Sequence, residues 1–162
     1  MSLNLDFSVV LERWPLFLDG AVMTLKLAFM AILIGGAIGT LCAVGRGSNN
    51  RFVAGFCTVY VETIRNTPLL VQIFLVYFGL ASIGFKFSAF SVAAAALAIN
   101  VGAYTAEIIR AGFESIPPSQ IEAAEGLALS RFQIYWHVIL LPAIEKVYPS
   151  LTSQFVLLLL AS

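Results

Sequence analysis

Charge is what this sequence has least of. Only 11% of its 162 residues are Asp, Glu, Lys or Arg, where a soluble domain carries roughly 25%. With 60% hydrophobic residues and a mean hydropathy of +0.94, a chain of this length cannot hide its apolar surface from water. Lipid is therefore the expected solvent. Nine acidic and nine basic residues cancel to a formal charge of zero, which excludes a nucleic-acid partner held by a general electrostatic field. Histidine is almost missing: His137 stands alone beside Trp136. There is no H-E-x-x-H pattern and no nucleophile and base pair, so His137 reads as an interfacial side chain and the chain as no enzyme. The two cysteines, Cys42 and Cys57, lie in or beside apolar stretches without metal-ligand spacing, so packing is expected and no metal. A phosphate-cradling G-x-x-x-x-G-K-[ST] loop is missing too, the nearest glycine cluster being GRGSNN. No nucleotide or other cofactor is expected in this chain, and energy for any transport must come from another one.

What is present is a series of long apolar runs, the pattern of an all-α, polytopic transmembrane helix bundle forming one domain over 1–162. Residues 20–44 carry a single charge, Lys26, near one end, where its stem can reach the headgroups. The polar opening (Asn4, Asp6, Glu12, Arg13) lacks the cationic start of a cleaved signal peptide. Gly35 and Gly39, four apart, would let a second helix approach closely. Arg46 and Arg51 in the short turn that follows place it in the cytoplasm and the N-terminus outside. A second span over 53–83 contains VETIRNTPLLVQ. Pro68 withdraws a backbone donor and disfavours helix at Thr67, so a kink or break is expected there. Glu62 and Arg65, three apart, are spaced to pair on one helical face. A third span covers 88–112, and a fourth starts at 147. The fourth falls short of the roughly 20 residues that about 30 Å of hydrocarbon demands, so the expectation is a helix cut in mid-course.

Two segments interrupt the apolar pattern. On the third span Asn100, Tyr104 and Glu107 fall on one helical stripe. Polar groups at membrane depth are expensive unless they face protein or water, so the stripe either looks into a pathway or ties helices together, and Glu107 is also spaced to pair with Arg110. Gln72 on the second span, and Thr152, Ser153 and Gln154 on the fourth, are the other polar side chains placed for a pathway. The loop 113–145 contains a short helix from about Ser119 to Ser130, with Ser119 and Glu122 in the S-x-x-E capping-box pattern. It is too polar to insert and too apolar to float. It needs a groove, in an external partner or beneath its own bundle.

Within that loop Glu122-Ala123-Ala124 is followed by the small Ala128 and, about twenty positions on, by Leu141-Pro142. Together with TLKLAFMAILIGGAIGTLCAVGR, VETIRNTPLLVQIFLVYFGL and AYTAEIIRAGFESIPPSQIEAAEGLALS, in that order, this resembles the permease subunits of bacterial ABC importers, in the polar-amino-acid group. The resemblance covers about 15–162. It implies a type I permease core with a cytoplasmic coupling helix, its C-terminal part missing, in the bacterial inner membrane. It further implies a separate ATP-binding subunit that uses ATP, a second permease subunit, and an extracytoplasmic amino-acid-binding protein. Glu122, Ala123, Ala124, Gly126 and Leu127 would dock the ATPase, with Arg131, Leu141 and Pro142 fixing the exit of the lever. Gln72, Asn100, Tyr104 and Glu107 would line the substrate pathway, a carboxylate there suiting the ammonium or guanidinium of an amino acid. The sequence departs from the family in two places: Ala128 stands where glycine is usual, and Leu141-Pro142 arrives one residue late. An ATP-independent channel or secondary carrier is the alternative reading of a polar stripe in a bundle.

Overall fold

The computed structural model describes residues 12–161, so Asn4 and Asp6 of the polar opening lie outside the described residues. Every regular element described is helical. Helix α1 (Trp14–Arg46) is 33 residues long, about 50 Å, and starts earlier than the expected 20 because Pro15 sits in its first turn, where a missing N–H is harmless. Helix α4 (Ala89–Glu114) has 26 residues and packs against every other long helix. Among the described residues, α1 and α4 are each long and apolar enough to cross a membrane.

The α1–α4 seam explains the glycine spacing. A Cβ added at Gly35 would lie 2.7 Å from the Ala98 carbonyl oxygen, and one at Gly39 would lie 2.6 Å from Thr105 Cβ. The facing stretch of α4 is itself built from small residues, with Ala94, Ala96, Ala98, Gly102, Ala103 and Ala106 all buried. Two backbones approach that closely only where neither helix carries bulk, and dispersion between them replaces the hydrophobic drive that lipid cannot supply. Leu27, Ala28, Ala31, Leu97, Val101 and Leu158 complete this core.

The expected second span, 53–83, is not one helix. It divides into α2 (Arg51–Arg65) and α3 (Leu69–Ser82), bent by 107° to one another. With 15 and 14 residues, neither alone reaches across about 30 Å of hydrocarbon. Pro68 is the N-cap of α3, and the break falls at Asn66–Pro68, where the sequence places it. A right-angled turn rather than a kink is possible because side chains replace the lost helical bonds. Asn66 Nδ2 donates to Glu62 O (2.8 Å), Thr67 Oγ1 to Thr63 O (2.7 Å), and Gln72 Nε2 to both Ile64 O and Thr67 O (2.8 Å each).

Helix α4 ends at Glu114, and the short α5 (Pro118–Gly126) follows. The chain then resumes with one α-turn (Arg131–Gln133), a π-helical stretch (Ile134–Leu140) and α6 (Leu141–Ala161). The fourth helical segment thus begins well before the expected 147. The π-helix accounts for the late arrival of Leu141-Pro142: one extra residue is absorbed by widening the coil locally. Pro142, which offers no N–H and crowds the carbonyl four residues back, tolerates the wider turn just ahead of it. Gly112 of α4 lets α6 close in, since a Cβ there would clash with Val147 Cγ2, and Lys146 Nζ donates to Ser115 O at 2.9 Å.

Candidate functional site

Among the described residues, polar chemistry gathers on α5, in a charge cluster around Glu107 and in a cleft at the helix break. The lever begins differently from the sequence expectation. Pro117 is the N-cap and Pro118 the first residue, and no side chain caps the helix. Ser119 therefore sits inside the first turn, and the Ser119–Glu122 capping box does not form; Pro118, with φ already set for a helix, starts it one residue sooner. A capping box does occur at Ser130, whose Oγ accepts from Gln133 N while Gln133 Oε1 accepts from Ser130 N. Its S-x-x-Q pattern was legible.

The lever closes on Ala128, the residue where glycine was expected. Its φ of +57° is left-handed. Ala128 N donates to Glu125 O and Leu129 N to Ala124 O, which is the Schellman pattern. The chain keeps the turn and carries a Cβ through it, at about 1 kcal/mol. Gly126 lies inside α5 with open space around it, so it does not take over the turn.

Of the expected docking residues, Glu122, Ala123, Gly126, Leu127 and Arg131 are exposed, as is Leu141 further along, while Pro142 is half-buried. Ala124 is buried, and α5 packs against the π-helical stretch Ile134–Leu140, so Ala124 faces away from any partner that grips α5. Beside α5, Phe132 and Trp136 stack with ring centroids 6.3 Å apart as an exposed apolar knob, and Leu127 is 77% exposed. The two aromatics went unread in the sequence, although their spacing of four is a helical one. His137 is exposed alongside them.

The four expected pathway residues separate into three environments. Glu107 accepts from Arg46 Nη1 of α1 (2.6 Å), pairs with Arg110 on its own helix, and lies 3.5 Å from Arg65 Nη1 of α2. Arg110 is shared with Glu114, and Glu62 stands 3.9 Å from Arg46. Glu62 and Arg65 do not pair with each other as their spacing suggested: each turns to a charge on another helix, because the break turns the end of α2 toward α1 and α4. Glu107 thus ties three helices together. Gln72, only 6% exposed, spends both amide hydrogens clasping the break, and its Oε1 accepts from Asn100 Nδ2 (3.2 Å).

Asn100 and Tyr104 do face one space, a cleft of about 430 Å³ near the midpoint of α4. Arg65, Asn66, Thr67, Pro68 and Leu69 of the break line it, together with Gln154, Leu157 and Leu158 of α6. Thr152 and Ser153 are exposed outside it and bond back to Tyr148 O and Pro149 O. Neither Gln72 nor Glu107 lines the cleft. Its charged member is Arg65, whose guanidinium carbon stands 5.7 Å from the centre of the Tyr104 ring. The sequence presented Arg65 as half of a local pair, and only the bend brings it here.

The family described as binding-protein-dependent transport system inner membrane component matches residues 35–162. A protein of Rickettsia conorii bearing a glutamine-transport permease name is 37% identical over 154 residues, 93% of this chain and 71% of that protein. The nopaline transport system permease protein of Agrobacterium fabrum is 37% identical over 166 residues, covering 96% and 68%, and the arginine transport system permease protein of Bacillus subtilis is 33% identical over 157 residues, covering 96% and 72%. A crystal structure of an amino acid ABC transporter superposes with a TM-score of 0.89 at 40% identity, over 97% of this chain and 73% of that one. The methionine transporter MetNI shares the fold at 21% identity, with a TM-score of 0.58 over 98% and 73%. The matched residues include the small-residue seam, the break at Pro68 and the Glu122-Ala123-Ala124 helix, and the chain belongs to the family of binding-protein-dependent transport system inner membrane components.

Proposed function

We propose that this chain is the permease subunit of an ATP-driven ABC importer of polar amino acids in a bacterial inner membrane. A separate ATP-binding subunit grips α5 and the Phe132–Trp136 knob. ATP and its hydrolysis belong to that partner, and closure of the partner moves α5 as a lever against α4 and α6. A second permease subunit completes the pathway, and an extracytoplasmic binding protein delivers the amino acid. The coupling is a shift between inward-open and outward-open states, biased by nucleotide in the partner.

One observation carries this reading. Helix α5 turns Glu122, Ala123 and Leu127 outward while Ala124 is buried and the helix packs on the π-helical stretch Ile134–Leu140 that runs into α6, so a partner that pulls on the exposed face moves a helix rather than a loose loop. Co-purification in mild detergent with the ATPase subunits of the native membrane tests it. The parent should bring down an ATP-hydrolysing subunit and a Glu122→Lys variant should lose it. Solute flux through the reconstituted chain with no ATPase present would favour a channel or carrier instead.

A further inference from the structure

Apart from the cleft at the break, a cavity of about 890 Å³ opens between the C-terminal ends of α1 and α4 and the first turns of α6. Its polarity runs in one direction. The bond from Arg46 Nη1 to Glu107 (2.6 Å) holds the ends of α1 and α4 side by side, at the face that the basic Arg46–Arg51 turn assigns to the cytoplasm. At that end the lining is charged, with Arg46 of α1 and Arg110 and Glu114 of α4. Toward the middle of the membrane it becomes apolar, through Ala43 of α1 and Ile144, Val147 and Leu151 of α6. Val44, Ile144 and Tyr148, also in the lining, are exposed, so the apolar part opens sideways toward lipid rather than into the bundle. The charged end is balanced but not saturated. Arg46, Arg65 and Arg110 face Glu62, Glu107 and Glu114, equal numbers of each sign. A guanidinium offers five N–H donors; Arg46 uses one, on Glu107, and Arg110 three, on Glu107 and Glu114. Among the described residues the side-chain polar atom sealed off without a partner is Thr105 Oγ1, so the unused arginine N–H groups are accessible. Glu114 meets Arg110 through Oε2 and its side chain is 63% exposed, which leaves Oε1 able to accept.

We infer that this cavity binds a phospholipid of the cytoplasmic leaflet whose headgroup joins a phosphate to a primary ammonium, as in phosphatidylethanolamine. The phosphate oxygens accept from the unused N–H groups of Arg46 and Arg110, and the pairs these arginines make with Glu107 and Glu114 stay intact. The ammonium donates to Glu114. The acyl chains follow the apolar lining inward, so the cavity and the lipid are polar and apolar in the same order along the membrane normal. Charge selects among headgroups. One that carries a charge of each sign leaves the cluster balanced, whereas a purely anionic one brings a surplus negative charge beside Glu114. A quaternary ammonium has no N–H to give to the carboxylate, so choline satisfies the charge but not the hydrogen bond. The site lies away from the cleft at the break and does not depend on ATP-driven transport; it requires only that α1 and α4, each long and apolar enough to span, stand in a bilayer.

The test is native mass spectrometry of the chain in mild detergent, titrated with phosphatidylethanolamine, phosphatidylcholine and phosphatidylglycerol that share the same oleoyl chains. Phosphatidylethanolamine is expected to bind about tenfold more tightly than either of the others, the size of one charge-assisted hydrogen bond. In a Glu114→Gln variant its preference over phosphatidylcholine should collapse toward unity, and phosphatidylglycerol should bind more tightly than to the parent because a negative charge has gone. A variant that is merely less well folded would weaken all three lipids and leave their ratios standing, which overturns the role of Glu114. Ile144→Trp fills the cavity from an exposed position and should weaken all three, whereas Leu41→Trp, exposed on α1 outside the lining, should weaken none. Equal losses from the two tryptophans would mark lipid bound anywhere on the apolar surface and overturn the cavity assignment. Equal affinity for the three headgroups in the parent overturns the charge argument. A dimer of the chain that excludes lipid and is lost in Ile144→Trp gives the cavity to a second copy and overturns the inference altogether.

Discussion

The α1–α4 seam and the α2–α3 break solve opposite problems with opposite residues. At the seam, glycine and alanine remove side chains so that two unbroken backbones touch, and Gly35 and Gly39 leave no room for a methyl group. At the break, Asn66, Thr67 and Gln72 supply side chains so that a disrupted backbone keeps its hydrogen bonds in a water-poor setting. The first arrangement gives a stiff wall. The second gives a polar opening in that wall, and the cleft forms where the two meet at Asn100 and Tyr104.

The sharpest way to undo this division is at Glu107, which joins the wall to the break. Replacing it with Gln leaves Arg46, Arg65 and Arg110 without their shared carboxylate. The expected loss is about 3 kcal/mol, as for breaking one partner of a buried pair, seen as a lowered thermal midpoint of the detergent-purified chain. Each region can then be attacked by its own logic. Gln72→Leu strips the donor from Ile64 O and Thr67 O and the acceptor from Asn100, and about 2 kcal/mol of destabilisation is expected from groups left unsatisfied. At the seam, Gly39→Ala should lose a comparable amount, about 2 kcal/mol, by overpacking. Gly36→Ala, where nothing lies within 4 Å of the new Cβ, should instead gain up to about 1 kcal/mol in helix stability. Equal midpoints for the two alanine variants would show that the seam is not tightly packed. The smallest effect tests the lever outside both regions: Ala128→Gly relieves a left-handed residue and should raise the midpoint by about 1 kcal/mol equivalent.

Much of the architecture was legible because membrane chemistry writes long, plain signals. The apolar runs of α1 and α4, the small-residue spacing at Gly35 and Gly39, and the break at Pro68 all follow from local composition. The Glu122-Ala123-Ala124 segment was also legible, although the proline pair shifted its start and deprived Ser119 of its capping role. Glu62 and Arg65 misled because sequence spacing counts neighbours on one helix only. Gln72 and Glu107 sat in the right pattern for a pathway, yet the structure gives both to the scaffold. In the other direction, Gln154 joins the cleft from a helix that begins at Leu141, far along the chain from Pro68, and no local period connects the two.

The sequence by itself determined that this chain lives in lipid as helices, where two helices could touch, and where one had to break, because each depends on residues adjacent along the chain. Only the tertiary structure decided which charges neutralise one another. That outcome depends on the 107° turn between α2 and α3, which carries Arg65 off its own helix face and into reach of Tyr104 and Glu107. Electrostatic pairing in a water-poor interior is set by distance in space rather than by separation in sequence.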